Sequence, residues 1–287
     1  MCDVFCNIGR KESIVQGLSV AIAGDNALAS AFVVWRGFES SLYKAAKFGY
    51  NGVELALHRA KDIQAGKLDA LLRENGLVVS AISTGQVFAD GGLCLTSESM
   101  DERRQTLDVL LEMVELSGSY GKTLNLGRVR GSICSDKSEG YFLESVEELC
   151  EEAEKHGVTI ILEPVNRYEI NFVNNLDEGV ALIRKTRMKN LMLMPDVFHM
   201  NIEDDSITGS LERNKDYVHY IHLADSNRYA PGRGHLDFDA IFNILRKIDF
   251  AGWASVEILP KPSPDEAAEE AVRYLLPYIK EGGKAIA

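Results

Sequence analysis

The stretch Thr159-Ile160-Ile161-Leu162-Glu163 is a short apolar run, rich in β-branched residues, that ends in a carboxylate. Such a run is typical of a strand buried on both faces, and it is too short for a buried helix. Similar runs recur along the whole chain. The eight runs are Leu18–Ala23, Gly52–Leu57, Val78–Ser83, Thr123–Leu126, Thr159–Leu162, Leu191–Met194, Val218–Leu223 and Ala254–Ile258.

The segments between these runs have helical periodicity. The segment before the fifth run keeps one helical stripe apolar over three turns, at Leu143, Val146, Cys150 and Ala153. Gly157 follows this stripe and predicts a left-handed end to the helix before the fifth strand begins. Strands that alternate with helices in this way indicate a parallel sheet with helices packed outside it.

Eight such units predict an α/β protein made of a single (β/α)8 TIM barrel. The chain has 287 residues, close to the roughly 250 that are typical of this fold. We therefore expect one domain over residues 1–287, with residues 1–17 as an N-terminal extension. A doubly wound open sheet is the alternative, but it normally carries a glycine-rich phosphate turn after its first strand. The segment Ala23-Gly24-Asp25-Asn26 lacks that glycine spacing.

The composition is that of a soluble globular protein, with 46% hydrophobic and 26% charged residues. The formal net charge of −12 repels nucleic acid backbones and anionic lipid, so we expect neither nucleic acid nor a membrane as a partner. The five cysteines are scattered and odd in number, which argues against a disulfide framework. No segment has the apolar length of a membrane span or the form of a signal peptide, so a cytoplasmic location is predicted.

Polar side chains lie at or just beyond the carboxyl ends of four consecutive runs. They are Glu163, Asp196, His222 and Glu257. Because the active sites of parallel barrels lie at the carboxyl ends of the strands, we expect these four side chains to converge above the barrel axis. Three carboxylates and one imidazole suit one divalent ion, Mn²⁺ first, with Mg²⁺, Co²⁺ or Zn²⁺ as alternatives. Without a cation, like charges placed so close together would repel each other.

The C-terminal half also carries motifs that resemble a known family. The motifs are Glu163-Pro-Val-Asn166-Arg167-Tyr-Glu169, Asp196-Val-Phe-His199-Met-Asn201-Ile-Glu203, His222-Leu-Ala-Asp225-Ser-Asn-Arg228 and Pro231-Gly-Arg-Gly234. Together they resemble the xylose-isomerase-like TIM barrel superfamily. Within it they are most similar to the ketose 3-epimerases of the D-tagatose and D-psicose type and to their relatives that epimerise sugar acids. The stretches Ile82-Ser-Thr-Gly85-Gln86 and Gly127-Arg128-Val-Arg130-Gly131 resemble the 5-keto-L-gluconate branch of these sugar-acid epimerases. The N-terminal half matches only as a pattern of strands and helices.

The resemblance implies a divalent-metal-dependent epimerase that acts at C3 of a ketose or keto-sugar acid through a cis-enediolate. Epimerisation needs a base on one face of the sugar and an acid on the other, and Glu163 and Glu257 are assigned to these catalytic roles. His199 and Arg228 resemble residues that orient the substrate beside its carbonyl, and Glu169 resembles a residue that binds a substrate hydroxyl. The family also implies a homodimer or a homotetramer.

Arginines follow two of the strands and suggest that the substrate carries a negative charge. Those expected at the mouth of the barrel are Arg128, Arg130, Arg228 and Arg233. Because guanidinium groups bind carboxylate or phosphate bidentately, we assign Arg128 and Arg130 to substrate binding and expect an anionic sugar. The alternative is that these side chains pair with acidic neighbours on the loops.

Two other enzyme classes share this fold. An aldose–ketose isomerase, acting on a sugar or sugar phosphate, uses the same metal site but needs a base on only one face of the substrate. The paired glutamates favour the epimerase. An abasic-site endonuclease binds several metal ions with additional histidines and holds DNA on a basic surface. Six histidines in the chain and a net charge of −12 argue against it.

Overall fold

The strands of the barrel all run parallel. A computed structural model describes residues 15–28 and 31–280 of the chain. Within these residues the strands are β1 Leu18–Ala23, β2 Trp35–Arg36, β3 Gly52–Ala56, β4 Val78–Ser83, β5 Thr123–Leu126, β6 Thr159–Leu162, β7 Leu191–Leu193, β8 Tyr220–Leu223 and β9 Trp253–Val256. Each of the eight predicted runs contains or overlaps one of them, whereas β2 was not predicted because two residues are too few to show a periodic pattern.

The strands follow one another around the barrel in the order β7-β6-β5-β4-β3-β1-β9-β8, and β2 pairs only with β1. Between β8 and β7, isolated parallel bridges join Leu193 to Val218 and Asp196 to His222. The His222 amide donates to the carbonyl oxygen of Pro195 at 2.9 Å. The eight strands other than β2 therefore form a nearly closed parallel barrel. This arrangement confirms the predicted TIM barrel and excludes the open sheet.

Helices follow the strands. Within the described residues they are α1 Phe38–Phe48, α2 Ala65–Asn75, α3 Gly85–Gly91, α4 Met100–Ser119, α5 Ser138–Lys155, α6 Leu176–Thr186, α7 Val197–Glu203, α8 Ile207–Arg213, α9 Phe238–Lys247 and α10 Pro264–Lys280. None of these helices is both long enough and apolar enough to cross a membrane. Two short helices, α3 and α7, contribute residues to the cavity at the carboxyl end of the barrel.

The predicted stripe of α5 faces the core, where Val146, Cys150 and Ala153 are fully buried. Gly157 adopts a φ of 64°, which is left-handed and allows the chain to turn from α5 into β6 within a few residues. This short connection therefore leads from the end of α5 at Lys155 to the start of β6 at Thr159. The expected unit of helix, turn and strand is therefore present.

Side chains alternate between the two faces of each barrel strand. Ile161 of β6 and Tyr220 of β8 are buried together in a cluster separate from the one that holds Ile160 and Leu162. Because strand side chains alternate with a period of two, the residue two positions after an inward one also points inward. Glu163 and His222 therefore project toward the barrel axis, above the layer formed by Ile161 and Tyr220.

Residues 1–14 of the predicted N-terminal extension lie outside the described residues. The last part of that extension contacts the barrel, since the Gln16 amide donates to the carbonyl oxygen of Gly252 at 2.9 Å. Val15 is also buried, at 2% exposure. The end of the predicted extension thus packs against the bottom of the barrel beside β9.

Candidate active site

The structure brings the four predicted ligand residues together. One ligand atom from each of Glu163, Asp196, His222 and Glu257 lies within 4.8 Å of the other three. From His222 Nδ1 the distances are 3.4 Å to Glu163 Oε1, 4.0 Å to Asp196 Oδ2 and 3.7 Å to Glu257 Oε2. Ligands that share one cation at roughly 2.1 Å are separated by about 3–4 Å, so this spacing fits a divalent ion.

Two buried atoms of the cluster have no hydrogen-bond partner, and they are Asp196 Oδ2 and His222 Nδ1. Buried polar atoms are almost always paired, and leaving one unpaired costs free energy. The other oxygen of Asp196 is used, because Oδ1 accepts from the Phe198 amide at 2.8 Å and so caps the start of α7. This cap holds Oδ2 toward the cluster. The unpaired atoms and the donor set of three carboxylates and one imidazole both fit a bound divalent ion.

The carboxyl groups differ in their affinity for a proton. Burial raises the pKa of Glu257 to about 7, although Arg228 and His222 oppose the rise. At Glu163 burial also acts to raise the pKa, but the nearby His222, His199 and Arg228 side chains outweigh it and lower the pKa to about 2. In the absence of an ion, Glu257 therefore binds a proton more readily than Glu163. Such a divergence between neighbouring carboxyls is typical of an acid and base pair.

Arg228 lies over the cluster, in the loop that follows β8. Its Nη2 contacts Glu257 Oε2 and is 3.5 Å from Asp196 Oδ2. The residue has a φ of 60°, a left-handed conformation that costs about 1–3 kcal/mol in residues other than glycine. The Arg228 amide donates to the Asp225 carbonyl at 2.8 Å, and the Leu259 amide donates to the Arg228 carbonyl at 2.8 Å. These contacts fix the guanidinium above the carboxylates.

His199 lies beside Arg228 on α7. Its Nε2 is 3.1 Å from Arg228 Nη1, and its Nδ1 is 2.8 Å from Asn166 Nδ2. Burial and the Arg228 charge hold the pKa of His199 well below its usual range, so the ring is neutral at pH 7. Glu169 lies on the same side, with Oε1 3.9 Å from Arg228 Nη1. The structure thus places all three predicted substrate-orienting residues next to the ligand cluster.

The cavity above the ligands is lined by further polar groups that sequence analysis missed. Gln86 and Asn125 are buried at 4% and 2% exposure, and their side-chain carbonyl oxygens have no hydrogen-bond partner. The Asn125 amide group donates toward Glu163 Oε2 at 3.4 Å. Uncharged amides at strand ends carry little signal in a single sequence, because they also occur in turns and caps.

Arg130 does not reach the cavity, which corrects the assignment made from the sequence. It is fully buried, and its guanidinium donates at 2.8–2.9 Å to the carbonyl oxygens of Gly127, Glu163, Phe172 and Val173. Burial lowers its pKa to about 10, so it stays charged at pH 7. Arg130 therefore holds together the loops after β5 and β6, and its guanidinium group has little hydrogen-bonding capacity left for a substrate.

The other arginines have acidic partners. Arg128 lines the cavity, but its Nη1 is 3.7 Å from Glu169 Oε2. Arg233 pairs with Glu270 at the surface of the barrel and does not line the cavity. The expectation that four arginines converge at the mouth of the barrel is thus not met, because Arg128 and Arg228 line the cavity whereas Arg130 and Arg233 do not. Pairing with acidic neighbours, the alternative, describes Arg128 and Arg233.

We predict that Arg130→Lys lowers the free energy of unfolding by about 3 kcal/mol, because an ammonium group cannot reach all four carbonyl oxygens. Arg128→Lys, at a partly exposed position, is the matched control and is expected to change stability by less than about 0.5 kcal/mol. Urea denaturation of both variants measures the effect. Unchanged stability of Arg130→Lys together with a loss of substrate affinity would restore Arg130 to the substrate site.

Comparisons with known proteins agree with this geometry. The family described as "Xylose isomerase-like TIM barrel" matches residues 42–278. The 3-dehydro-D-guloside 4-epimerase of Escherichia coli (strain K12) is 27% identical over 247 residues, which cover 80% of this chain and 90% of that protein. The L-ribulose 3-epimerase of Mesorhizobium japonicum is 30% identical over 240 residues, which cover 79% of this chain and 77% of that protein.

Solved structures share the fold. The crystal structure of a D-allulose 3-epimerase from Methylomonas sp. in complex with D-allulose superposes with a TM-score of 0.78. The match covers 91% of this chain and 96% of that chain, at 23% sequence identity. At this identity the likeness shows a common barrel architecture.

Proposed function

Because the chain belongs to the xylose isomerase-like TIM barrel family, we propose that it is a divalent-metal-dependent epimerase that acts at C3 of a ketose. The resemblance predicted from the C-terminal motifs is confirmed, and the similar proteins include epimerases and an isomerase, so the chain is a carbohydrate isomerase or epimerase. One observation supports epimerisation. The carboxyl groups of Glu163 and Glu257 meet at one ligand cluster, so two groups that can act as acid and base are available to the same carbon atom.

The proposed reaction uses the two glutamates on opposite faces of the sugar. Glu163 Oε1 faces His222 Nδ1, while Oε2 lies near the Asn125 amide, so this carboxylate has one oxygen for the ion and one for the substrate. Glu163 accepts the proton of C3, and Glu257 returns a proton to the opposite face of the planar carbon. When bound, a divalent ion, Mn²⁺ first among the candidates, supplies Lewis acidity at the substrate oxygens.

The residues around the cluster orient the sugar in this proposal. Arg228 is a fixed cation above the carboxylates, and the neutral His199 ring contacts it at 3.1 Å and supports its position. Together they hold the carbonyl end of the ketose, while Glu169 accepts a hydrogen bond from a hydroxyl group. The unpaired carbonyl oxygens of Gln86 and Asn125 accept hydrogen bonds from further hydroxyl groups of the sugar. Hydroxyl donors satisfy these acceptors, whereas an ionised carboxylate or phosphate carries no proton to donate to them.

The charge balance favours a neutral sugar. The carboxylates around the cavity are Glu163, Glu169, Asp196 and Glu257, and two guanidinium groups, Arg128 and Arg228, lie among them. A bound divalent ion favours the ionised form of its carboxylate ligands, and with all four carboxylates ionised the two guanidinium groups and the ion balance their charge. No net positive charge is then left for an anionic substrate. We therefore propose a neutral ketose in place of the sugar acid or sugar phosphate that the arginine positions suggest in the sequence.

We predict that neutral ketoses are turned over at least about 10-fold better, in kcat/KM, than ketose phosphates or keto-uronates, because an added anion leaves a buried charge without a partner. The assay compares D-psicose, D-fructose, D-tagatose and L-ribulose with phosphorylated and carboxylated ketoses, all with Mn²⁺-loaded protein. Equal or faster turnover of the anionic sugars would contradict the charge balance and would return Arg128 to the role of an anion-binding residue. The homodimer or homotetramer and the cytoplasmic location stay predictions.

A further inference from the structure

His222 makes a second contact, on the side of its ring that faces away from the candidate ion. Its Nε2 is 2.9 Å from Glu54 Oε2, and both side chains are almost completely inaccessible to solvent. Glu54 lies in the middle of β3 and does not belong to the ligand cluster. A buried carboxylate inside a barrel strand is costly unless it is paired, so this contact needs an explanation.

A chain of hydroxyl groups continues from Glu54 below the cluster. Tyr220 Oη donates to Glu54 Oε2 at 3.0 Å. The same hydroxyl lies 2.7 Å from Ser80 Oγ and 3.1 Å from Ser19 Oγ. Through these contacts the carboxylate is tied to β1, β4 and β8, so its oxygen has little freedom to move. Any hydrogen bond that it accepts from His222 therefore fixes the orientation of the imidazole ring.

We propose that Glu54 is a positioning residue for the metal site. By accepting the Nε2–H of His222, it selects the tautomer whose Nδ1 carries a lone pair, and Nδ1 is the atom that faces the three carboxylates and has no partner. Metal-binding histidines commonly donate their second ring N–H to a carboxylate in this way, which raises the basicity of the ligand nitrogen. The inference rests on the metal site of the proposed function and does not depend on which sugar is used.

Glu54→Gln tests the proposal by keeping the size of the side chain while it removes the negative charge. We expect the dissociation constant for Co²⁺ to rise about 10- to 100-fold, the effect typical of losing such a partner. The visible absorption of bound Co²⁺ is also expected to change, because a weaker and less ordered imidazole alters the ligand field. Titration of the whole protein with Co²⁺, without sugar, measures both quantities.

Asp204→Asn is the matched control. Asp204 is a largely buried carboxyl at the end of α7, and burial raises its pKa to about 6, but it is not a member of the ligand cluster. Its amide variant is expected to keep the Co²⁺ affinity and spectrum of the wild type. A difference between the two variants separates an effect on the ion from the general cost of altering a buried carboxyl.

Tyr220→Phe provides a second variant that removes only the hydroxyl donor to Glu54. We expect a smaller but measurable rise in the Co²⁺ dissociation constant, about 3- to 10-fold, and this result decides the matter if Glu54→Gln does not fold. Wild-type affinity and an unchanged Co²⁺ spectrum in the folded variants would overturn the proposal and leave Glu54 a purely structural partner. Because no sugar is present, a failed epimerase assay does not affect this outcome, whereas a wild-type protein that binds no Co²⁺ would overturn both proposals.

Discussion

Glu163→Gln and Glu257→Gln are each expected to lower kcat at least about 100-fold while a divalent ion remains bound. The amide keeps the size of the side chain and one oxygen for the ion, but it neither takes up nor releases the proton of C3. Steady-state kinetics at saturating Mn²⁺, combined with metal analysis of the purified variants, measures the two effects separately. Glu148→Gln, at an exposed ion pair with Arg104, is the control and is expected to keep wild-type activity.

Isotope exchange distinguishes the roles of the two glutamates. A variant that lacks one of them still has a carboxyl on the other face of the sugar. Each variant is therefore expected to exchange the C3 proton of one epimer with solvent deuterium while it fails to convert that epimer into the other. Near-normal epimerisation by either variant would show that a single base suffices, and an aldose–ketose isomerase would then describe the protein better.

Asp196→Ala and His222→Ala are expected to abolish stoichiometric binding of a divalent ion and to lower kcat at least about 1000-fold, because the ion supplies most of the stabilisation of developing negative charge. In the wild type, Mn²⁺ at 100 times its dissociation constant adds about 2.7 kcal/mol to the stability of the folded state. The wild-type Tm should therefore rise by several degrees with Mn²⁺, and the Tm of the variants should not.

Metal analysis and thermal denaturation with and without chelator check this expectation. His156→Ala is the control, because His156 pairs with Glu152 at the exposed end of α5. It should keep both the ion and the Mn²⁺-dependent rise in Tm. Full metal occupancy in both Asp196→Ala and His222→Ala would contradict the assignment of the four ligands.

The ligand cluster could be predicted from the sequence because each member has the same simple signal. A polar residue follows an apolar strand, and the carboxyl ends of parallel strands meet at one end of a barrel. The alternation that turns Ile161 inward also turns Glu163 inward, so position along the strand determines direction. Prediction of the strands, and of the place where their ends meet, therefore needed only local sequence patterns and the symmetry of the fold.

The contacts of Arg130 could not be predicted in the same way. Arg128 and Arg130 lie at the two ends of one 3-10 turn, and this turn directs the first toward the cavity and the second into the protein interior. The direction depends on the carbonyl oxygens of the loop after β6, which are distant in sequence. Charge and spacing are the same for both residues, so a single sequence contains no signal that separates them.

Glu54 was missed for a related reason. It interrupts the apolar run Gly52–Leu57, and a lone carboxylate in a strand is the signal that could have indicated a buried partner. Its partner His222 lies 168 positions away, so their contact follows from closure of the barrel and from no local pattern. Tertiary pairing of this kind becomes visible only when the strand order and register are known.

The central claim is that a C3 proton of a neutral ketose is exchanged at this site, and it is tested most directly in D₂O. Mn²⁺-loaded protein is incubated with D-psicose, and the positions of deuterium in the sugars are determined by NMR and mass spectrometry. We predict the appearance of the C3 epimer, with deuterium at C3 and at no other carbon. Deuterium at C1 or C2 would show an isomerase, and sugars that contain no deuterium and no epimer after incubation would contradict the account.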